Sequence, residues 1–145
     1  MIHFQTNRPR ADRCPRCGRL RLFGLAEGWP YKVDPVPITL RAELAARIQG
    51  RQTWWLSAGR LVWRSPERIE GGHNQPRPAV LASHDCDVSI VPADVDAAHV
   101  STVVRVLAQG SDGSEITESE VDTFMLLARQ LGARVLTYSP DEPPF

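Results

Sequence analysis

Three cysteines and one histidine carry the clearest chemistry in this sequence. Cys14 and Cys17 are separated by two residues, and Cys86 follows His84 in a His-Asp-Cys run. A CxxC turn lets two thiolates bind one tetrahedral metal ion, and a His-x-Cys pair can complete the ligand shell. The spacing therefore predicts that these four residues bind one zinc ion. Because four protein ligands leave no open coordination position, the predicted zinc is structural rather than catalytic.

The CxxC pair also has a redox interpretation, in which the first cysteine usually caps a helix. Here the pair runs into an alternating Arg-Leu-Arg-Leu-Phe segment at residues 19–23, which predicts a strand. Metal binding is therefore favoured over redox chemistry. Taken alone, His84 is also compatible with an ordinary hydrogen-bonded histidine. The alternative fourth ligands are His3, His73 and His99.

Length and composition bound the class of protein. The chain has 145 residues, of which 42% are hydrophobic, enough for one domain or for a small domain with an appendage. No apolar run approaches the roughly 18 residues of a membrane span, and the N-terminus lacks the apolar stretch of a signal peptide. An odd count of three cysteines fits metal ligation in a reducing compartment better than a disulfide framework. These features predict a soluble, cytoplasmic protein.

The net charge of zero conceals two halves of opposite sign. Residues 1–68 contain 13 basic and 5 acidic residues (+8), and residues 69–145 contain 4 basic and 12 acidic residues (−8). The basic half predicts nucleic-acid binding as one option, with Trp29 and Tyr31 near enough in sequence to stack on bases. The alternative is that the two halves neutralise each other in the fold or in a dimer. The arginines that cluster around the CxxC turn are Arg8, Arg10, Arg13, Arg16, Arg19 and Arg21.

Residues 26–49 are predicted to form an ordered loop followed by one amphipathic helix. Prolines and aromatic residues in 26–37 indicate a loop or a pair of short extended segments. Thr39 is the predicted N-cap of a helix over residues 40–49, and Gly50 is its predicted stop. The predicted inward face comprises Leu40, Leu44, Ala45 and Ile48, and the outward face comprises Arg41, Glu43 and Arg47.

A hairpin over residues 51–64 is the clearest β signal. A turn at Ala58-Gly59 predicts the pairs Trp54 with Trp63, Trp55 with Val62, and Leu56 with Leu61. Trp54, Leu56, Leu61 and Trp63 then share a core face, while the Trp55 face needs cover from the rest of the chain or from a partner. A further strand over residues 79–83 is predicted to deliver His84 and Cys86 on extended backbone, with both ligands on one side.

Several short motifs follow one another along residues 1–87: CxxC, an EG-P-VDP-P segment, a short helix ending in GR, and a final VLA-H-C run. They fall on Cys14, Cys17, Glu27, Gly28, Val33, Asp34, Pro35, Gly50, Arg51, Val80, Leu81, Ala82, His84 and Cys86. In these motifs the chain resembles a group of small uncharacterised actinobacterial and actinophage proteins, which usually show Tyr at the position of Trp54. The resemblance implies a compact zinc-dependent module with the same ligand set, and it adds no catalytic residue.

The C-terminal part, which lies outside that resemblance, is predicted to be mainly helical. A helix from Asp94 is expected to bury Val100, Val103, Val104 and Leu107. A capping box at Thr117 and Glu120 predicts a second helix over residues 118–131, followed by a strand over 133–138. The loop between the helices matches an EF-hand poorly, because its first ligand positions hold Gln, Ser and Gly. The helical hairpin is therefore predicted to serve packing or homodimer formation.

Together these patterns predict an α+β protein. Residues 1–90 form a small zinc-knuckle β domain with one helix, residues 94–138 a helix-loop-helix-strand appendage, and residues 139–145 a tail. The sequence lacks a nucleophile elbow, an HExxH motif, a P-loop and a dinucleotide fingerprint. The predicted function is a non-enzymatic, zinc-stabilised module that contacts another protein. The alternatives are a nucleic-acid-binding regulatory protein and a metal- or thiol-dependent enzyme.

Overall fold

Two three-stranded antiparallel sheets, flanked by helices, make up the part of the chain that the computed structural model describes. That part comprises residues 6–66, 68, 76–88 and 91–110. The combination confirms the predicted α+β class. The predicted second C-terminal helix, the last strand and the tail lie outside the described residues. None of the helices in the described part has the length and apolar character needed to cross a bilayer.

The first sheet contains β1 (Arg10–Arg13), β2 (Leu20–Ala26) and β3 (Trp29–Val33), in that order. Strand β2 confirms the strand predicted after the CxxC turn, and β3 shows that part of the proline-bearing segment is extended. One face of this sheet is apolar and buried, with Leu22 on the central strand fully inaccessible. Tyr31 on β3 is buried in this face, whereas Trp29 at the start of the strand is 74% exposed.

The second sheet contains β4 (Thr53–Ser57), β5 (Arg60–Trp63) and β6 (Val80–Ala82), in the order β5-β4-β6. The predicted hairpin is confirmed in its register, with Trp54 opposite Trp63 and Leu56 opposite Leu61. Trp54 and Leu61 are in the core, while Trp63 is 40% exposed. The opposite face receives cover from the chain itself, because the guanidinium groups of Arg64 and Arg68 lie 5.9 and 5.8 Å from the Trp55 ring.

The two sheets and one helix share a single apolar core. The rings of Tyr31 and Trp54 meet between the sheets, with centroids 5.9 Å apart. Two short 3-10 turns, Pro92–Asp94 and Ala97–His99, lead into helix α2 (Val100–Gly110). All four residues predicted for its buried face are buried, and Val103 and Leu107 belong to the same core cluster as Leu22. Helix α2, the first element of the predicted appendage, therefore packs against β1 and contributes to the shared core.

Helix α1 (Leu40–Ile48) forms where it was predicted but buries the other face. Its cap is as expected, since the Thr39 hydroxyl accepts a hydrogen bond from the backbone N–H of Ala42 at 3.2 Å. The predicted inward face is wrong: Leu40, Leu44 and Ile48 are 52%, 54% and 87% exposed. The residues that α1 buries are instead Glu43 and Ala46.

A buried charge cluster explains this orientation. The Glu43 carboxylate accepts hydrogen bonds from Arg64 Nε at 2.6 Å, Arg77 Nη1 at 3.0 Å and the Thr53 hydroxyl at 2.9 Å. Thr53 and Arg64 lie beside each other on the face of the second sheet opposite Trp54. A carboxylate enters an interior only when it is paired and hydrogen-bonded. Because its partners lie under α1, the helix turns Glu43 inward and its leucines outward.

The pKa of Glu43 reflects this balance. Burial alone raises the pKa of a carboxyl group, but the hydrogen bonds and charge of Arg64, together with Thr53 and Arg77, outweigh burial and lower the pKa of Glu43 below its ordinary value. The folded state therefore favours the charged carboxylate, and the cluster stabilises the fold only while Glu43 is ionised.

We predict that Glu43→Gln lowers the free energy of unfolding by about 3–5 kcal/mol, because it leaves two guanidinium groups without their buried counter-charge. Chemical denaturation measures the loss. Glu27→Gln is the matched control: Glu27 pairs with Arg68 at 2.8 Å, but its side chain is 47% exposed. Such exposed pairs contribute roughly 0–1 kcal/mol. Equal, small losses in the two variants would contradict the role given to Glu43.

The same variant gives a second readout in acid. A carboxyl group with a lowered folded-state pKa stabilises the fold fully above its ordinary pKa, and this stabilisation is lost as the pH falls through the lowered value. We therefore expect the wild-type protein to lose stability more steeply than Glu43→Gln over this acid range. Parallel acid profiles would show that Glu43 does not contribute.

Candidate metal centre

The four predicted ligands come together at one end of the fold. The ligand atoms of Cys14, Cys17, His84 and Cys86 all lie within 4.8 Å of one another. The Sγ atoms of Cys14 and Cys86 are 3.5 Å apart, and His84 Nε2 lies 3.3 Å from Cys17 Sγ and 3.4 Å from Cys86 Sγ. A tetrahedron with zinc–ligand bond lengths has edges of roughly 3.5–3.8 Å. The cluster can therefore hold a metal ion with little rearrangement.

The turn between β1 and β2 supplies the first two ligands. The N–H of Cys14 donates to the carbonyl of Arg19 at 2.9 Å, and the N–H of Gly18 donates to the carbonyl of Cys14 at 2.8 Å. Gly18 has a φ of 78°, a conformation that side chains disfavour. Pairing of β1 with β2 closes this turn, so the two thiols share one small volume as soon as the hairpin forms.

The other two ligands follow β6. The N–H of His84 donates to the carbonyl of Lys32 at 2.8 Å, and Ser83 bridges to Val33, so the end of β6 is joined to the end of β3. Cys86 lies in a turn, in which the N–H of Val88 donates to the carbonyl of Asp85 at 3.2 Å.

The predicted extended backbone therefore does not continue to Cys86, which lies in a turn instead. Alternate residues of a strand are separated by roughly 6.5 Å along the chain, which holds their side chains apart. The turn instead folds the Cys86 thiol back to within 3.4 Å of the His84 ring. His84 and Cys86 can thus reach one metal position, with Cys86 in the turn that begins at Asp85.

Arg19 connects the two halves of the cluster. Its Nη1 donates to the carbonyl of Val88 at 2.9 Å, and its Nη2 donates to the carbonyl of Asp85 at 2.6 Å. The side chain thus extends from the base of the CxxC turn to the turn that carries Cys86. The positive charge next to the sulfur atoms also favours their thiolate forms.

A buried carboxylate orients the histidine. His84 Nδ1 lies 2.7 Å from Asp34 Oδ1, and both side chains are almost fully buried. An ionised carboxylate can only accept a hydrogen bond, so Nδ1 carries the proton and the Nε2 lone pair faces the thiols. The same arrangement fixes metal-binding histidines in many proteins. Asp34 was not among the predicted site residues, although the VDP motif of the resemblance includes it.

Asp34 is itself hydrogen-bonded by Arg51, and the position of Arg51 is set by the end of α1. Arg51 Nη2 donates to Asp34 Oδ2 at 3.3 Å, and Arg51 Nε donates to the carbonyl of Ser83 at 3.1 Å. The predicted helix stop is confirmed: Gly50 has a φ of 82°, and the N–H of Arg51 donates back to the carbonyl of Ala46 at 2.9 Å. The GR motif thus ends the helix and points a guanidinium group at the partner of His84.

The cysteines differ in their electrostatics. Backbone N–H donation from Cys17 lowers the pKa of Cys14 to about 6, and donation from Arg19 lowers the pKa of Cys17. Burial and the two neighbouring sulfurs raise the pKa of Cys86 to about 11. Burial tends to lower the pKa of His84, but its hydrogen bond to Asp34 outweighs burial and raises it. Three thiolates in one small volume repel each other, and a bound cation removes that repulsion.

The alternative ligands and the redox interpretation receive less support. His99 is hydrogen-bonded to Asp96 at 2.7 Å and does not belong to the cluster, while His3 and His73 lie outside the described residues. The three cysteines are free thiols. The segment after the CxxC turn is strand β2 and not a helix that Cys14 caps, which disfavours the usual dithiol arrangement.

The six arginines around the CxxC turn have different surroundings. Arg19 donates to backbone carbonyls, and Arg21 is buried in an ion pair with Asp12 at 2.8 Å. Arg16 lies 3.7 Å from Asp87 at the surface. The other three, Arg8, Arg10 and Arg13, are exposed. The arginines therefore do not form one uniform basic surface.

We predict that Asp34→Ala lowers metal affinity about 10- to 100-fold, because the His84 ring loses the acceptor that orients it. Competition with a chromophoric chelator measures the change. Asp12→Ala is the matched control, since Asp12 also pairs with a buried arginine but accepts its hydrogen bonds from Arg21 and not from His84. If the folded Asp34→Ala protein bound the metal as tightly as the control, the orienting role would be refuted.

Comparisons of the chain with protein-family models, with curated proteins and with solved structures found no match in any of the three.

Proposed function

We propose that this protein is a non-enzymatic, zinc-stabilised binding module that contacts a partner protein in a reducing, cytoplasmic setting. The observation that supports it is the cluster of Cys14, Cys17, His84 and Cys86, whose donor set and spacing suit one tetrahedral zinc ion. The zinc joins the β1–β2 turn to the segment after β6, and its binding energy is thereby folding energy.

An enzymatic role is less well supported. Four protein ligands leave zinc no position for a water molecule or a substrate. The two carboxylates beside the ligands also have other contacts: Asp85 Oδ1 accepts a hydrogen bond from the N–H of Asp87 at 2.9 Å, and Asp87 itself is exposed near Arg16. The donor set therefore favours a structural ion.

The exposed stripe of α1 is the surface we propose for the protein partner. Leu40, Leu44 and Ile48 follow one another at intervals of four residues, so they form one apolar line along the helix. Glu43 is buried, which leaves Arg41 as the charged residue on the exposed side of α1. The surface thus suits an apolar segment of another protein that carries an acidic residue next to Arg41.

We expect one zinc ion per chain and no thiol that reacts with Ellman's reagent in the folded, zinc-loaded protein. Removal of the metal should expose all three thiols and unfold the protein, because a structural site is not preformed in the unfolded chain. Metal analysis and thiol titration make the measurement. Cys17→Ser should lose zinc, with Ser57→Ala as a control. One fast-reacting thiol in the zinc-loaded protein would instead support a catalytic cysteine.

We predict that Leu44→Glu leaves the free energy of unfolding within about 0.5 kcal/mol of wild type, because the side chain is exposed. The variant should nevertheless bind the partner at least roughly tenfold more weakly, since it places a charge in the apolar contact. The measurement is a titration with a purified partner, first identified by copurification from the native host. Arg60→Glu is the charge-changing control on the β4–β5 hairpin.

Two other occupants of the stripe give different results. Pairing with a second copy would make Leu44→Glu convert a dimer into a monomer, which light scattering detects. If other residues of the same chain cover the stripe, Leu44→Glu would lower the free energy of unfolding of the isolated protein. Either result would contradict the proposed partner surface.

A further inference from the structure

The outer face of the first sheet carries an aromatic residue between two cations. Cross-strand partners point to the same side of a sheet, and the register places Phe23 of β2 directly between Arg10 of β1 and Lys32 of β3. The neighbouring residues Ala11 and Leu22 point the other way and are buried in the core. Arg10, Phe23 and Lys32 therefore form one row across the face that is turned away from the core.

The cations of this face have no acidic partner within the described chain. Arg10 and Lys32 are exposed, and so is Arg8, which precedes β1. No ion pair links any of the three to a carboxylate of the described residues. The one carboxylate in the outward register of β1, Asp12, is neutralised by Arg21 at 2.8 Å. Among the described residues, no carboxylate therefore offsets the three positive charges near Phe23.

We propose that this face, defined by Arg8, Arg10, Phe23 and Lys32, binds single-stranded nucleic acid. An unpaired base can stack on an aromatic side chain while cations on either side contact the adjacent phosphates. The edge strands of a three-stranded sheet lie roughly 10 Å apart, so Arg10 and Lys32 can flank one stacked nucleotide. Duplex DNA does not fit this arrangement, because its bases are stacked on each other and unavailable to Phe23.

The proposed nucleic-acid surface differs from the one expected from the sequence. Of the six arginines around the CxxC turn, this face uses Arg8 and Arg10, and it adds Lys32. Tyr31 cannot stack on a base because it is buried, and Trp29 belongs to the register of the opposite face. The stacking residue is Phe23, which is partly accessible on the central strand.

The test is a salt titration of the full-length, zinc-loaded protein with fluorescent oligo(dT) and oligo(rU), followed by anisotropy. Three phosphate contacts predict that the logarithm of affinity falls with the logarithm of salt concentration with a slope of about −2. The double variant Arg10→Gln/Lys32→Gln should reduce the slope to about −0.7. Arg60→Gln, an exposed arginine on the β4–β5 hairpin, is the matched control and should change neither affinity nor slope.

Phe23→Ala should weaken binding about fivefold or more at constant salt, and Phe23→Tyr should restore it because the ring is retained. Circular dichroism and thermal melting establish that each variant is folded. If Phe23→Ala fails to fold, the charge variant and Phe23→Tyr still decide the question. A preference between oligo(dT) and oligo(rU) distinguishes DNA from RNA as the source.

Three results would overturn the proposal. The first is no binding at about 50 mM salt, where phosphate contacts must be detectable. The second is equal affinity for single strands and duplex with no effect of Phe23→Ala, which indicates charge attraction alone. The third is an unchanged salt slope in the double variant, which would place the contacts elsewhere on the chain.

Discussion

The convergence of four ligands from two distant segments is the constraint on which the rest of this structure depends. The CxxC turn and the His84-Asp85-Cys86 turn are separated by 67 residues between Cys17 and His84. Bringing such distant segments together costs chain entropy. Arg19, which donates to carbonyls of the second turn, and the β3–β6 pairing contribute to that closure. A bound ion in the middle of the cluster would contribute most, because it bonds to all four side chains.

Ion pairs outside the cluster also help to position its residues. Arg51 reaches Asp34 because α1 ends at Gly50. The position of α1 is in turn set by the ion pairs of Glu43 with Arg64 and Arg77. The orientation of the helix and the orientation of the His84 ring are thus linked through side chains that are far apart in sequence. Several arginines thus connect segments through ion pairs and hydrogen bonds to backbone carbonyls.

If the Cys/His cluster holds a structural ion, the surfaces available for binding partners lie elsewhere. The exposed stripe of α1 is apolar, and the outer face of the first sheet is cationic around an aromatic ring. They belong to different elements, and each has a chemistry that suits a different class of partner. A chain that used both surfaces would join a protein to a nucleic-acid strand, and an ion in the Cys/His cluster would hold the two surfaces in a fixed relation.

Local patterns in the sequence determined β2, the β4–β5 hairpin, β6 and the candidate ligand set, but not β1. The register of β4 and β5 could be predicted because a short hairpin is set by its own turn and by alternation. The grouping of Cys14, Cys17, His84 and Cys86 could be predicted because CxxC and HxC are short local motifs. The start and end of α1 could also be predicted from local sequence, since Thr39 and Gly50 act on the adjacent backbone.

Tertiary structure alone decided which face α1 buries, how Cys86 approaches His84, and what Asp34 and Arg51 do. The apolar spacing of α1 pointed to Leu40, Leu44 and Ile48, yet the buried residue is Glu43, because its partners Arg64 and Arg77 come from later segments. Asp34 and Arg51 meet only after β3, β6 and α1 have packed. Apolar periodicity predicts which residues share a face of one element. An ion pair or a metal site also depends on atoms from distant segments, which come together only in the folded chain.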